Sequence, residues 1–278
     1  MIREIIKRLL LHFGYSIRKV EKLSMSFTKT TNKKIDFIKE DHYKINFKKV
    51  STEGIHYFLP EYAPKTIKIK HNGPDKKLYG TIHEETTHKL VDELCKSFQG
   101  SVIQAGAFNG DFLPSFSKSC NGFVYAFEPV LENYIMSKLT IEKNNLENVF
   151  LYNAALGEKT ETLRINTNLD KDYHIGDASK IDSEGDLCLA LAIDDFSYSS
   201  LMLIQLDIEG FELNALKGAE KTIKKHHPMI AIEDNKGDCK EFLESLGYVS
   251  PVAIPGLDIY VHEQQTLHLE KLKNINSN

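Results

Sequence analysis

Residues 203–212 read LIQLDIEGFE, an apolar run that passes directly into three closely spaced carboxylates. The apolar part is typical of a buried strand, and the residues after Gly210 have the spacing of a helix. Burying a carboxylate is costly unless it is paired or bound to a ligand. A purely structural strand end seldom gathers Asp207, Glu209 and Glu212, so the stretch predicts a functional site. Glu212 also has a structural explanation, because an acid in a first helical turn suits the helix dipole.

The regions on both sides of this stretch alternate between strand-like and helix-like patterns. Strands are predicted at residues 101–107, 123–127, 149–154, 187–193, 201–206 and 229–232. Helices are predicted at residues 111–118, 131–143, 211–225 and 238–246, and a small hairpin at 158–165. This alternation indicates βαβ units, and therefore an α/β protein with a mainly parallel sheet and helices on both faces.

The last two predicted strands, 248–254 and 259–262, are joined by a linker too short for a parallel crossover. They should therefore be antiparallel. A mainly parallel sheet that finishes in an antiparallel hairpin resembles the seven-stranded, Rossmann-like fold of class I methyltransferases.

The composition is typical of a soluble globular protein, with 278 residues that are 41% hydrophobic and 27% charged. The four cysteines show no C-x-x-C spacing, which argues against a zinc or redox motif. They are interpreted as free thiols in a reducing compartment, which favours a cytoplasmic location. The net charge of −4 is uneven, because the first 50 residues carry +8 and the remainder −12.

The first 22 residues predict a basic amphipathic helix. Their apolar residues recur at helical spacing, and Lys7, Arg8 and His12 interrupt the unbroken apolar stretch that a signal peptide needs. The helix either packs on its own domain with a solvated lysine face or contacts an anionic membrane or a partner. Residues 24–49 read as a linker, and short extended segments follow it up to residue 81.

Residues 104–110 (QAGAFNG) end the first predicted strand of the sheet. Gly106 and Gly110 bracket a tight turn, where the lack of a Cβ allows the backbone to approach a ligand closely. Glu128 follows the second strand, 18 residues beyond Gly110, where a carboxylate can accept hydrogen bonds from ribose hydroxyls. The loop lacks the third glycine of dinucleotide-binding proteins and the lysine of a P-loop, so the ligand should be a nucleoside without a diphosphate. S-adenosylmethionine fits that description.

The third strand ends at Asn153 and Ala154, which should face the adenine of such a ligand. Asn153 either bonds the base edge or caps a turn. The predicted cofactor-binding residues are Gln104, Gly106, Phe108, Gly110, Glu128, Asn153 and Ala154.

Five segments resemble successive blocks of the FkbM-type methyltransferases. They are VIQAGAFNGDF at 102–112, AFEP at 126–129, NAALG at 153–157, LIQLDIEGFELNALKGA at 203–219 and PMIAIE at 228–233. The resemblance covers about residues 80–265 and implies a class I fold, S-adenosylmethionine as methyl donor, and usually O-methylation of sugars or natural products. Two positions depart from the family. Gln104 stands where an acid is often found, and Gln205 stands where a lysine is often found. Gln104 can still hydrogen-bond the methionine part of the donor, but it offers no opposite charge to the donor's ammonium group.

Methyl transfer from a sulfonium is an in-line displacement, so catalysis is mostly positioning of the acceptor and the methyl group. A hydroxyl acceptor must also lose a proton, and Asp207 is the first candidate for that base. Glu209 and Glu233 complete the predicted catalytic set, and His174 is a further alternative.

Other functions fit parts of the sequence. Asp207, Glu233 and Asp234 could hold a divalent cation, although we favour a site without metal. A non-catalytic nucleoside-binding or scaffold protein would keep the fold but would not need carboxylates at the strand ends. The missing third glycine disfavours a dinucleotide-dependent oxidoreductase, and the acidic body disfavours a nucleic-acid acceptor.

The expected organisation has three parts. Residues 1–80 form the basic helix, linker and short strands, residues 81–266 form the S-adenosylmethionine-binding domain, and residues 267–278 form a polar tail. The expected partner is a small-molecule or glycan acceptor.

Overall fold

A computed structural model describes residues 47–52, 55–60, 93–167, 179–234, 236–249, 251–254 and 257–265, together with 267, 268, 270 and 272. All of them belong to one compact unit, Phe47–Asn278. The predicted helix at 1–22, His174 and most of the tail lie outside the described residues. None of the described helices is long and apolar enough to cross a membrane.

The described chain contains the following strands and helices, each set numbered in chain order. The strands are β1 (Phe47–Thr52), β2 (Ile55–Pro60), β3 (Ser101–Ala105), β4 (Val124–Phe127), β5 (Val149–Tyr152), β6 (Ala155–Leu156), β7 (Glu161–Asn166), β8 (Lys180–Ile181), β9 (Asp186–Leu191), β10 (Leu201–Leu206), β11 (Met229–Ile232), β12 (Val252–Ile254) and β13 (Leu257–Tyr260). The helices are α1 (Leu113–Ser119), α2 (Leu131–Asn144), α3 (Glu212–Lys217), α4 (Glu220–His226) and α5 (Cys239–Ser245). The strands β1 and β2 form a separate antiparallel hairpin.

The main sheet has seven strands in the order β12-β13-β11-β10-β3-β4-β5. The strands β11, β10, β3, β4 and β5 are parallel to their neighbours within this group, whereas β13 runs antiparallel to both β11 and β12. The strand order therefore reverses between β3 and β10, which is the kind of switch point at which parallel sheets bind ligands. The predicted fold class, including the antiparallel C-terminal hairpin, is confirmed.

The central strands are buried on both faces. All six residues of β10 are buried, because helices cover the sheet on either side. Leu203 packs in one core layer with Phe116 of α1, and Ile204 packs in the other with Leu216 of α3 and Ile223 of α4. The strand that leads into the acidic stretch is thus fixed from two sides.

A four-stranded sheet is inserted between β5 and β10, and one prediction for this region is wrong in detail. Residues 158–165 do not form a hairpin of their own, since β7 pairs antiparallel with β9 and β8. The strand predicted at 187–193 is present as β9, which pairs in the inserted sheet. Leu187 and Leu189 of this strand are exposed, and Ala190 is buried. Only one face of β9 packs inward, so its continuous apolar sequence does not mean that all of its side chains are buried.

The predicted helix at 211–225 is two shorter helices, α3 and α4. Gly218 lies at the break, and its carbonyl accepts the backbone N–H of Asp194 (2.8 Å). The Asp194 carboxylate in turn accepts the N–H of Thr222 (2.8 Å) in the first turn of α4. A distant residue therefore caps the second helix and satisfies a backbone group that a continuous helix would have paired internally.

Candidate active site

An open cleft lies at the carboxyl edge of the main sheet, with a volume of about 490 Å³ including its open mouth. It is formed by the residues that follow β3, β4, β5 and β10, and by one wall of the inserted sheet. Five of the predicted site residues line it together: Gly106, Glu128, Ala154, Asp207 and Glu209. The long-range pairing of four strands brings these residues to one edge of the sheet.

The glycine turn after β3 crosses the end of β10. Gly106 has a φ of +80°, and a Cβ at this position would lie 1.9 Å from the carbonyl oxygen of Asp207. The N–H groups of Gly106 and Ala107 both donate to the Phe127 carbonyl (3.1 Å each), which ties the turn to β4. Position 106 must therefore be a glycine because the protein's own backbone at Asp207 passes so close to it. This close approach brings the glycine turn into contact with the acidic stretch.

Glu128 holds the glycine turn from the neighbouring strand. Its side chain is only 4% exposed, and its Oε2 accepts the N–H of Phe108 (2.8 Å) while Oε1 accepts the N–H of Val130 (2.9 Å). Burial raises the pKa of Glu128 to about 7, although both N–H groups favour the ionised form. The carboxyl group is thus anchored by the backbone and lines the cleft at the end of β4.

Two hydroxyl groups on α2 support the same turn and were missed from the sequence. Ser137 Oγ donates to the Phe108 carbonyl (2.7 Å), and Thr140 Oγ1 donates to the Asn109 carbonyl (3.1 Å). Both side chains are fully buried. Their spacing of three residues places them on one helix face. Two polar residues on the inward side of a helix next to a glycine turn are the signal that could have indicated this role.

The acidic stretch after β10 is held in a tight turn by its own last carboxylate. Glu209 has a φ of +55° and Gly210 a φ of +90°. Oε1 of Glu212 accepts the N–H groups of Ile208 (3.0 Å) and Gly210 (3.1 Å), and Glu212 is only 1% exposed. Burial raises the pKa of Glu212. Glu212 is therefore a positioning residue that shapes the turn. This role is more specific than the favourable interaction of an acid with the dipole of α3.

Asp207 is half-buried at the junction between the sheet and this turn. Its N–H donates to the Ala105 carbonyl (3.1 Å), which continues the β3–β10 pairing to the edge of the cleft. Glu233 lies at the equivalent point one strand farther along, where its N–H donates to the Leu206 carbonyl (3.1 Å). Among the described residues Glu233 is outside the lining of the cleft, so the geometry favours Asp207 and Glu209 over Glu233 for contact with a ligand.

Gln104 lies beneath the cleft rather than in its lining. It is in register with Gln205 on β10 and Ala126 on β4, and Ala126 packs in the same core layer as Phe116 of α1. Because register partners on parallel strands share a face, Gln104 and Gln205 point towards that layer together. Both side chains are buried, and within the described structure neither atom of the Gln104 amide has a hydrogen-bond partner.

Asn153 joins the ends of two strands. Its amide nitrogen donates to the carbonyls of Glu128 (2.9 Å) and Pro129 (3.1 Å). The adjacent Ala154 is buried and lines the cleft. Asn153 thus has a structural role in addition to the base contact that remains a prediction.

The predicted cation ligands are not assembled as one group. Among the described residues, the potential metal ligands that meet within 4.8 Å of one another are Asp234, Asp238 and Cys239. The two oxygens of Asp234 already accept the N–H groups of Gly237 and Cys239 (2.8 and 3.2 Å). Burial raises the pKa of the Cys239 thiol, and the carboxylates of Asp234 and Asp238 add to this rise.

The sheet order and the cleft at its carboxyl edge define a class I methyltransferase fold. A model of the FkbM methyltransferase domain matches residues 104–250, more than half of the sequence, and the chain belongs to this family. No curated protein matches the sequence significantly.

Several solved structures are similar to part of this chain. Methyltransferase FkbM from Methylobacillus flagellatus KT is 21% identical, with a TM-score of 0.46 over 59% of this chain and 44% of that one. A methyltransferase from Geobacter sulfurreducens is 14% identical, with a TM-score of 0.44 over 73% of this chain and 91% of that one. A SAM-dependent methyltransferase from Aquifex aeolicus is 19% identical, with a TM-score of 0.40 over 71% and 97%. The present chain thus covers less than half of the Methylobacillus protein.

Proposed function

We propose that the protein transfers a methyl group from S-adenosylmethionine to a hydroxyl oxygen of a sugar, a glycan or a natural product. The observation that carries this proposal is the cleft that combines Gly106, Glu128 and Ala154 with Asp207 and Glu209. The first three residues supply the contacts that a nucleoside needs. The two carboxylates supply the chemistry that a hydroxyl acceptor needs.

In the proposed donor complex, each part of the donor meets a different strand end. The carboxylate of Glu128 accepts hydrogen bonds from the ribose hydroxyls, and Ala154 lies beside the adenine. The Gly106 turn receives the methionine part of the donor. Since Gln104 is a neutral amide in place of an acid, it offers the donor's ammonium group no opposite charge.

The proposed reaction is a single displacement. An oxygen lone pair of the acceptor attacks the methyl carbon, the carbon–sulfur bond breaks, and sulfur keeps the electron pair, leaving S-adenosylhomocysteine. Asp207 takes the proton from the acceptor hydroxyl, and Glu209 orients the acceptor. A correctly placed base of this kind contributes about 10²–10⁴-fold.

The proposal is tested by measuring binding and turnover separately on the full-length protein. Calorimetry should show binding of S-adenosylhomocysteine, and methyl-labelled S-adenosylmethionine should transfer label to members of a panel of mono- and oligosaccharides and hydroxylated natural products. Failure to bind S-adenosylhomocysteine would contradict the proposal. Binding without transfer to any acceptor would favour the non-catalytic nucleoside-binding protein instead.

The raised pKa of Glu128 predicts that donor affinity depends on pH. The ribose hydroxyls bind the ionised carboxylate, whose pKa in the free protein is about 7, so binding releases a proton below that pH. The affinity for S-adenosylhomocysteine should therefore fall as the pH is lowered, by up to roughly 30-fold between pH 8 and pH 5.5. Calorimetry at several pH values, in two buffers of different ionisation enthalpy, measures the affinity and the number of protons released on binding.

Glu128→Gln is the matched control for this pH dependence. The amide keeps the size of the side chain and does not titrate, but its NH2 group cannot accept one of the two backbone N–H groups that Glu128 binds. The affinity of the variant should therefore be about tenfold weaker at pH 8 and nearly constant down to pH 5.5. An equally steep pH profile in wild type and in Glu128→Gln would contradict the assignment.

A further inference from the structure

One wall of the cleft is not used by the proposed donor contacts. It belongs to the inserted sheet and consists of Ile165 on β7, Ile181 on β8 and Ser179, which precedes β8. Ile165 and Ile181 are register partners in an antiparallel pair, so their side chains lie on the same face. The wall is therefore an apolar surface that carries a single hydroxyl group.

The hydroxyl of Ser179 is buried without a partner. The residue is 8% exposed, and its Oγ makes no hydrogen bond within the part of the chain that the structure describes. The buried hydroxyls of Ser137 and Thr140 in the same region each donate to a loop carbonyl. A buried hydroxyl left unpaired lowers stability, so its position in a cleft wall points to a bond with a ligand.

The strand order indicates which part of a ligand reaches this wall. Along the sheet edge, Asp207 at β10 and Gly106 at β3 come first, Glu128 at β4 follows, and Ala154 lies after β5. The inserted sheet begins directly beyond Ala154 with β6, whose residues Ala155 and Leu156 also line the cleft. With the ribose at Glu128, the group that continues towards this end is the base.

We propose that Ile165, Ile181 and Ser179 complete the binding slot for the donor's adenine. The isoleucines cover the ring, and the Ser179 hydroxyl bonds a polar atom on its edge. A purine has apolar faces and a polar rim, so a flat apolar slot with one well-placed polar group fixes its orientation. This inference rests on the proposed function and assigns a role to the inserted sheet.

Ser179→Ala tests the assignment in the full-length protein with two probes, S-adenosylhomocysteine and 5′-methylthioadenosine. The second probe keeps the adenosine and lacks the amino-acid part. Both should bind about 5- to 30-fold more weakly to Ser179→Ala, and by the same factor, because the lost bond is to the base. Thr162→Ala, on the exposed face of β7, is the control and should bind both probes as wild type does.

Thermal unfolding separates binding from a structural role. Without ligand, Ser179→Ala should unfold at the wild-type temperature or above it, since the substitution removes an unpaired buried hydroxyl. A variant that binds 5′-methylthioadenosine as tightly as wild type, or that unfolds clearly earlier without ligand, would overturn the inference alone. Absence of binding of S-adenosylhomocysteine to the wild-type protein would instead overturn the proposed function on which it rests.

Discussion

Asp207→Asn is expected to lower kcat by about 10²–10⁴-fold and to change the affinity for S-adenosylhomocysteine by less than about twofold. Asparagine has the same shape and cannot take the proton from a hydroxyl acceptor. The Asp207 N–H bond to the Ala105 carbonyl belongs to the backbone, so the substitution leaves the β3–β10 pairing intact. Initial rates with any acceptor that supports turnover, together with calorimetry of the donor product, give the two quantities separately.

Asp258→Asn is the matched control for this loss of charge. Asp258 lies on β13 of the same sheet and outside the lining of the cleft, so its substitution should leave kcat near the wild-type value. A folded Asp207→Asn protein with near-normal kcat would contradict the role of Asp207 and would transfer it to Glu209. A fall in donor affinity instead of kcat would show that Asp207 orients the donor rather than acting as a base.

The main sheet could be predicted from the sequence because its signals are local. Apolar runs such as residues 201–206, each followed by a turn and a helical pattern, identify parallel strands whatever their neighbours are. The place of the site follows from the same pattern, since the carboxyl ends of parallel strands share one edge. Gly106, Glu128 and Asp207 could therefore be assigned to a common cleft without coordinates.

The details that were wrong or missing depend on contacts between distant parts of the chain. The glycine at the break, Gly218, is required by the backbone of Gly157, since a Cβ at position 218 would lie 2.0 Å from the Gly157 carbonyl oxygen. The pairing of β7 with β9 likewise joins segments about 25 residues apart, and no local pattern specifies it. The bond between Ser137 and Phe108 spans 29 residues, so the polar face of α2 could at most indicate a polar contact and could not identify its partner.

Gly106→Ala is expected to abolish donor binding and to destabilise the fold. The new Cβ would lie 1.9 Å from the Asp207 carbonyl oxygen, so the turn and the end of β10 must move apart. The φ of +80° adds the strain that any L side chain meets in this conformation. Together these effects should cost about 3 kcal/mol or more of the free energy of unfolding. The affinity for S-adenosylhomocysteine should fall by at least about 100-fold, because the displaced backbone forms the floor of the cleft.

Gly237→Ala is the control that separates the two causes of instability in Gly106→Ala, the close contact of the new Cβ and the strain of a positive φ. Gly237 has a similar φ of +70°, but an added Cβ would have no neighbour within 4 Å. This variant should therefore lose only about 1–2 kcal/mol of the free energy of unfolding and should keep wild-type donor affinity. Chemical denaturation and calorimetry on both variants measure the difference. Equal losses of stability in the two variants, with donor binding retained in both, would show that the approach of Asp207 to Gly106 neither holds the turn in place nor shapes the cleft.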